Sequence, residues 1–172
     1  MCDQDLADGI NACMNKAGQN AATAILGGFR LTNMAVGTDG AHAATVSQLR
    51  HYIEIVVGDE TTAITAGTQK ATFRLPYAMS IASVKASLTT AQTSGSIFTV
   101  DVKWPNGPRR DSIFSTNLTI DNTERTSTTA ATPATLITTN FLADTEMTID
   151  IDQVGDGTAK GLKVYLLGTF SS

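Results

Sequence analysis

A seven-residue run near the middle of the chain, Phe98-Thr99-Val100-Asp101-Val102-Lys103-Trp104, alternates between apolar and polar side chains. Successive side chains of a β-strand point to opposite faces of a sheet, so a period of two predicts a strand with one buried face. The run meets Pro105-Asn106-Gly107-Pro108, whose Asn-Gly pair and prolines predict a turn that ends the strand. This is the clearest strand in the sequence.

The same period recurs on both sides of this run. Further segments of this kind are residues 52–57, 71–75, 84–88, 147–152 and 162–166, and residues 112–120 are another strand candidate. A polar loop is predicted at residues 59–69, and the threonine-rich segment 123–139 is a further strand candidate. The turn Gly155-Asp156-Gly157 predicts that the last two segments form a hairpin.

Length and composition agree with a β-rich domain. A chain of 172 residues is long enough for one ordinary core and a short extension. Threonine supplies about one residue in six, and its branched Cβ suits a pleated strand. Seven or eight short strands without an intervening helical period predict a mainly β fold, an antiparallel β-sandwich or jelly roll.

The first 51 residues differ from the rest. Leu6, Ile10 and Cys13 predict a short amphipathic helix over residues 5–14, and a second short helix is expected near residues 41–51 after a brief strand around Phe29. Such short elements cannot bury their own apolar side chains. We therefore expect residues 1–51 to be an attachment and trimerisation segment, residues 52–172 to be the sandwich domain, and the protein to be a homotrimer.

Charge and hydropathy argue against two classes of partner. The formal net charge is −4, and basic residues are scattered apart from the pair Arg109 and Arg110. Nucleic-acid binding is not expected, because it requires a basic surface. The sequence has no apolar run of 18 residues, so no membrane span is predicted. The first residues lack the pattern of a secretory signal. We expect assembly in a cytoplasm.

Four phrases of the N-terminal segment form a pattern: Asp5-Leu6-Ala7-Asp8-Gly9-Ile10-Asn11, Lys16-Ala17-Gly18-Gln19, Gly27-Gly28-Phe29-Arg30-Leu31-Thr32-Asn33-Met34-Ala35 and Ala43-Ala44-Thr45-Val46-Ser47-Gln48-Leu49. With these phrases the segment resembles a recurrent module of bacteriophage tail fibres and related appendage proteins. They match the module in order and spacing. The sequence departs from it at His42, where an acidic residue is commoner.

The C-terminal part contains the phrases Lys70-Ala71-Thr72-Phe73-Arg74-Leu75-Pro76-Tyr77, Thr99-Val100-Asp101-Val102 and Ala159-Lys160-Gly161-Leu162-Lys163-Val164. In these phrases it is similar to a β-sandwich at the ends of phage and prophage structural proteins. The two resemblances imply a virion protein assembled in the bacterial host cytoplasm. They imply a homotrimeric tail fibre or spike subunit that docks on other virion proteins, at tail, neck or capsid, and contacts the host surface.

No catalytic constellation is evident in the sequence. Two histidines, His42 and His51, and two cysteines, Cys2 and Cys13, match no nucleophile, phosphate-binding or metal-binding motif. Asp150, Asp152 and Asp156 invite a calcium interpretation. We favour outward, solvated carboxylates for the first two. We expect no enzyme activity, cofactor or metal.

Four residues are candidates for receptor contact: Trp104, Asn106, Arg109 and Arg110. Trp104 could stack on a sugar of the host surface, although a place in the core is favoured by its position at the end of an apolar row. The arginines could bind acidic sugars or phosphates. Residues 105–110 and 59–69 are the candidate surface loops. Two other functions stay open, a capsid head fibre or decoration protein and a lectin-like receptor-binding tip.

Overall fold

The computed structural model describes residues 51–171, which contain eleven strands and one 3-10 turn. The predicted helix over residues 5–14, the strand near Phe29, both cysteines and His42 lie outside the described residues. The strands are β1 (His51–Val56), β2 (Gly67–Arg74), β3 (Ala78–Ser87), β4 (Phe98–Asn106), β5 (Arg109–Ser112), β6 (Phe114–Thr116), β7 (Leu118–Ile120), β8 (Thr135–Leu136), β9 (Asn140–Phe141), β10 (Glu146–Gln153) and β11 (Lys163–Ser171). The 3-10 turn is Ser127–Thr129.

Two antiparallel sheets form the body. The first has the strand order β1-β11-β3-β9, and the second has the order β2-β10-β4-β5, with β7 pairing beside β5 on β4. Along the chain, β1 to β4 alternate between the two sheets, and so do β9, β10 and β11, which is the winding of a jelly roll. The predicted mainly β, sandwich-type fold is therefore confirmed.

The core lies between the two sheets. Phe98, Val100 and Val102 of β4 are completely buried, and so are Ile149 of β10 and Leu166 of β11. These are the apolar positions of the alternating runs, so the period of two identified the inward faces correctly. Full burial of each such side chain contributes about 1.5–3 kcal/mol.

The predicted hairpin between the last two runs is wrong. β10 lies between β2 and β4 in the second sheet, whereas β11 lies between β1 and β3 in the first. Residues 154–162 cross from one sheet to the other. Both sheets need an apolar inward face, so alternation within a run does not reveal which sheet the strand joins.

Two predicted element boundaries also need correction. His51 opens β1 and is not the end of a helix. β4 continues through Pro105 and Asn106, which pair with Arg110 and Arg109 of β5. The pairing of β4 with β10 stops at Lys103, so the absent N–H of Pro105 breaks no ladder bond on that side. The turn is only Gly107-Pro108, with Gly107 at φ +62°.

The strand directions give the sandwich two different ends. The His51 end carries the start of β1, the Gly107-Pro108 turn and the turns at residues 75–77 and 142–145. The opposite end, which we call the loop end, carries the longer connections at residues 57–66, 88–97, 121–134 and 154–162. The two candidate loops therefore lie at opposite ends.

Candidate functional site

The hairpin of β4 and β5 holds the four residues predicted to contact a receptor. Trp104 pairs with Asp111, Asn106 with Arg109, and Pro105 with Arg110. Because side chains alternate along a strand, Trp104, Asn106 and Arg109 share one side of the hairpin while Arg110 lies on the other. Asn106 and Arg109 are exposed, and the other two are half-buried. The structure does not bring the four together on one surface.

Trp104 is a packing residue at the rim of the core. Its ring meets Phe141 of β9 edge-on, with the ring centroids 5.7 Å apart and the planes at 73°. It packs against the buried cluster of both sheets. A ring held in this way offers little free face for stacking on a sugar, which favours the core position over the sugar platform.

Arg110 belongs to a row of alternating charges across the outer face of the second sheet. It forms an ion pair with Glu146 of β10, which also pairs with Arg74 of β2 at 2.9 Å. Arg74 reaches Asp144 at 3.3 Å. The Arg110 guanidinium, followed by Arg74, lowers the pKa of Glu146. Of the two hairpin arginines, Arg109 is the more available to a ligand.

A buried charge cluster lies farther along the same face. Asp101 of β4 and Asp150 of β10 stand directly opposite one another, and they are only 4% and 2% exposed. Lys103 Nζ lies 2.8 Å from Asp150 Oδ2 and 3.6 Å from Asp101 Oδ2. The Ser112 hydroxyl donates to Asp101 at 2.6 Å. Burial is the main cause that raises the pKa of Asp101.

This cluster corrects the prediction of outward, solvated carboxylates. Asp152 is exposed as predicted, but Asp150 is buried, because the paired strands on both sides bring Lys103 and the Gln69 backbone onto it. Asp156 lies in a different loop and binds threonine and serine groups. Within residues 51–171, no group of three His, Cys, Asp or Glu side chains could hold a metal ion.

At the loop end, Gln92 joins three connections. It is completely buried, and its side-chain amide donates to the Ser96 carbonyl and to Asn122 Oδ1, each at 2.6 Å. Its Oε1 accepts the Gly155 N–H at 2.7 Å. A Cβ on Gly155 would lie 2.3 Å from the Ser94 carbonyl oxygen, so only glycine permits this approach. The three loops are therefore fixed to one another.

Two exposed carboxylates order the same end. Asp156 accepts the backbone N–H and hydroxyl of Thr93 at 2.8 and 2.7 Å, and the hydroxyl of Thr158 at 2.6 Å. These bonds, with Thr158 first, hold the pKa of Asp156 well below its usual range. Asp59 accepts from the backbone and hydroxyl of Thr61, both at 2.7 Å, and its pKa is lowered for the same reason.

Of the four connections at the loop end, the sequence predicted only the first as a candidate contact surface, at residues 59–69. It did not predict the role of Gln92, because a glutamine between two strands carries no periodic signal of burial. The Gly155-Asp156-Gly157 turn was recognised, but its contact with Thr93 brings together segments that are distant in the chain. Preorganised loops at one end of a rigid sandwich form a surface suited to recognition.

Residues 51–171 contain no helix with the length and apolar character of a membrane span. No protein-family model matches the chain, and no curated protein matches it. Among solved structures, the chain is similar to a protein chain in a structure of infectious bursal disease virus Gx strain, with 13% sequence identity and a TM-score of 0.25. The match covers 81% of this chain and 41% of the viral chain. The sandwich assignment rests on the strand pairings described above.

Proposed function

We propose that this protein is a non-enzymatic subunit of a bacteriophage virion appendage, a short homotrimeric tail fibre or spike. Residues 1–51 dock on other virion proteins, and the jelly roll projects outward toward the host surface. The resemblance of the N-terminal phrases supports the class of protein. The jelly roll is compatible with it, since viral capsid and lectin domains use this fold, although a fold alone does not specify a function.

One observation supports a specific orientation of the sandwich on the particle. His51 lies at one end of the sandwich, so the segment that precedes it must join there. The loops held together by Gln92 and Asp156 lie at the other end. An anchor at the His51 end leaves the loop end farthest from the particle, which makes it our first choice for host contact. The hairpin candidates Asn106 and Arg109 lie on the anchored side.

The orientation can be tested by labelling purified particles. We would introduce Ala63→Cys at the loop end or Arg109→Cys at the His51 end, in a chain carrying Cys2→Ser and Cys13→Ser, and attach a gold label to each. The ten residues of β3 span about 30 Å, at about 3.3 Å per residue. We expect the Ala63 label about this much farther from the particle than the Arg109 label.

The label also distinguishes the alternative functions. Its place at the tail, neck or shell separates a tail fibre from a capsid head fibre or decoration protein. Particles without any label would refute a virion role, and equal distances would refute the orientation.

A drop in host adsorption after Arg109→Ala plus Arg110→Ala would favour the hairpin as the receptor-binding site. Unchanged adsorption would exclude a role of Arg109 and Arg110 in receptor binding.

A further inference from the structure

The outer face of the first sheet has three rows of side chains across β1, β11 and β3. The register places Tyr52, Leu167 and Ser83 in one row, Glu54, Tyr165 and Lys85 in the next, and Val56, Lys163 and Ser87 in the third. Tyr52 is 66% exposed and Val56 is 60% exposed. Two large apolar side chains on one edge strand form a surface that suits a protein contact.

The middle row is charged at its two sides. Glu54 on β1 and Lys85 on β3 are both exposed, and Tyr165 of β11 lies between them. Two strand spacings separate the charges by about 10 Å, so they do not neutralise one another by direct contact. The acidic β1 side of one copy is therefore complementary to the basic β3 side of another copy.

A groove lies beside the exposed residues of β1. It has a volume of about 390 Å³ and is lined by Tyr52, Ser83, Lys85 and Leu167, among others. Between Ile81 and Ser83 the pairing with β11 skips Ala82, which is the extra residue of a β-bulge. The bulge exposes Ala82 in the floor of the groove. An apolar side chain of another copy could fill this space.

We propose that this face is the contact between copies of the chain, with the β1 side of one copy lying over the β11 and β3 groove of the next. Glu54 of one copy then meets Lys85 of its neighbour, and Tyr52 and Val56 are covered. Cyclic trimers use such head-to-tail contacts, in which two different patches meet. The outer edge of β1 is unpaired within the described residues and would be covered too. The inference rests on the trimer of the proposed function.

Charge reversal tests the contact in the full chain. We expect Glu54→Lys and Lys85→Glu each to weaken association on the order of a hundredfold, because like charges would then face one another. The double variant should restore it. The mass is measured by light scattering over a dilution series. Arg109→Glu, an equal reversal on the β4–β5 hairpin, is the control and should leave the mass unchanged.

Disulfide trapping gives a second readout that holds even where residues 1–51 keep the copies together. In a chain carrying Cys2→Ser and Cys13→Ser, the double variant Glu54→Cys with Lys85→Cys should form covalent trimers on oxidation. Each single variant should not. A bond within one copy is excluded, because the two strands lie about 10 Å apart and a disulfide needs Cα atoms within about 7 Å.

The outcomes separate the two proposals. A wild-type chain that is monomeric at micromolar concentration overturns the trimer of the proposed function. A wild-type trimer that tolerates both reversals and gives no cross-link between copies overturns the assignment of this face alone. Loss of association in the single reversals, its recovery in the double reversal and a covalent trimer would together establish the contact.

Discussion

Replacing Gln92 by methionine should destabilise the whole domain, although the residue lies in a loop. Methionine nearly matches the volume of glutamine, so the change removes hydrogen bonds without leaving a large cavity. Three partners lose their bonds: the Ser96 carbonyl, Asn122 Oδ1 and the Gly155 N–H. Each bond contributes about 1 kcal/mol net, so we expect the free energy of unfolding to fall by about 3 kcal/mol.

The measurement is urea unfolding of wild type and variant at the same protein concentration, because an oligomer's stability depends on concentration. Gln153→Met is the matched control. It makes the same chemical change at an exposed position of β10 and should alter stability by less than about 0.5 kcal/mol. A loss below about 1 kcal/mol for Gln92→Met would refute the idea that Gln92 holds the loop end together.

Two further predictions concern charged groups. Lys103→Met should lower the free energy of unfolding, measured in urea, by about 3 kcal/mol, because Asp150 is left buried without its cation. If adding Asp150→Asn recovers none of this loss, the ion-pair explanation fails. The lowered pKa of Asp156 means that its carboxylate stabilises the folded state above the ordinary pKa of 3.8, and that this stabilisation is lost as the pH falls below that value. The melting temperature of Asp156→Asn should therefore lie below that of wild type at pH 7, and the gap should narrow below pH 3.8; a gap that does not change with pH would contradict the assignment.

Local geometry explains how far the sequence could predict the site. The hairpin arginines stood out as an adjacent pair, but their separation onto two sides followed only from the register of β4 with β5. Trp104 was a candidate for stacking on a sugar, but a core position was favoured for it because it continues an apolar row. The ion pair between Arg110 and Glu146 could not be predicted, because the two residues come from distant strands.

The sequence by itself determined where the long strands lie, apart from their exact ends, and which of their residues face the core. Phe98, Val100 and Val102 could be assigned to the core because alternation is a property of the extended backbone and needs no knowledge of the neighbours. Only the tertiary structure decided that β10 and β11 join different sheets, that Asp150 is buried, and that the loops around Gln92 lie at the end opposite His51. These features depend on which distant segments meet, and pairing between strands leaves no trace in the period of either strand alone.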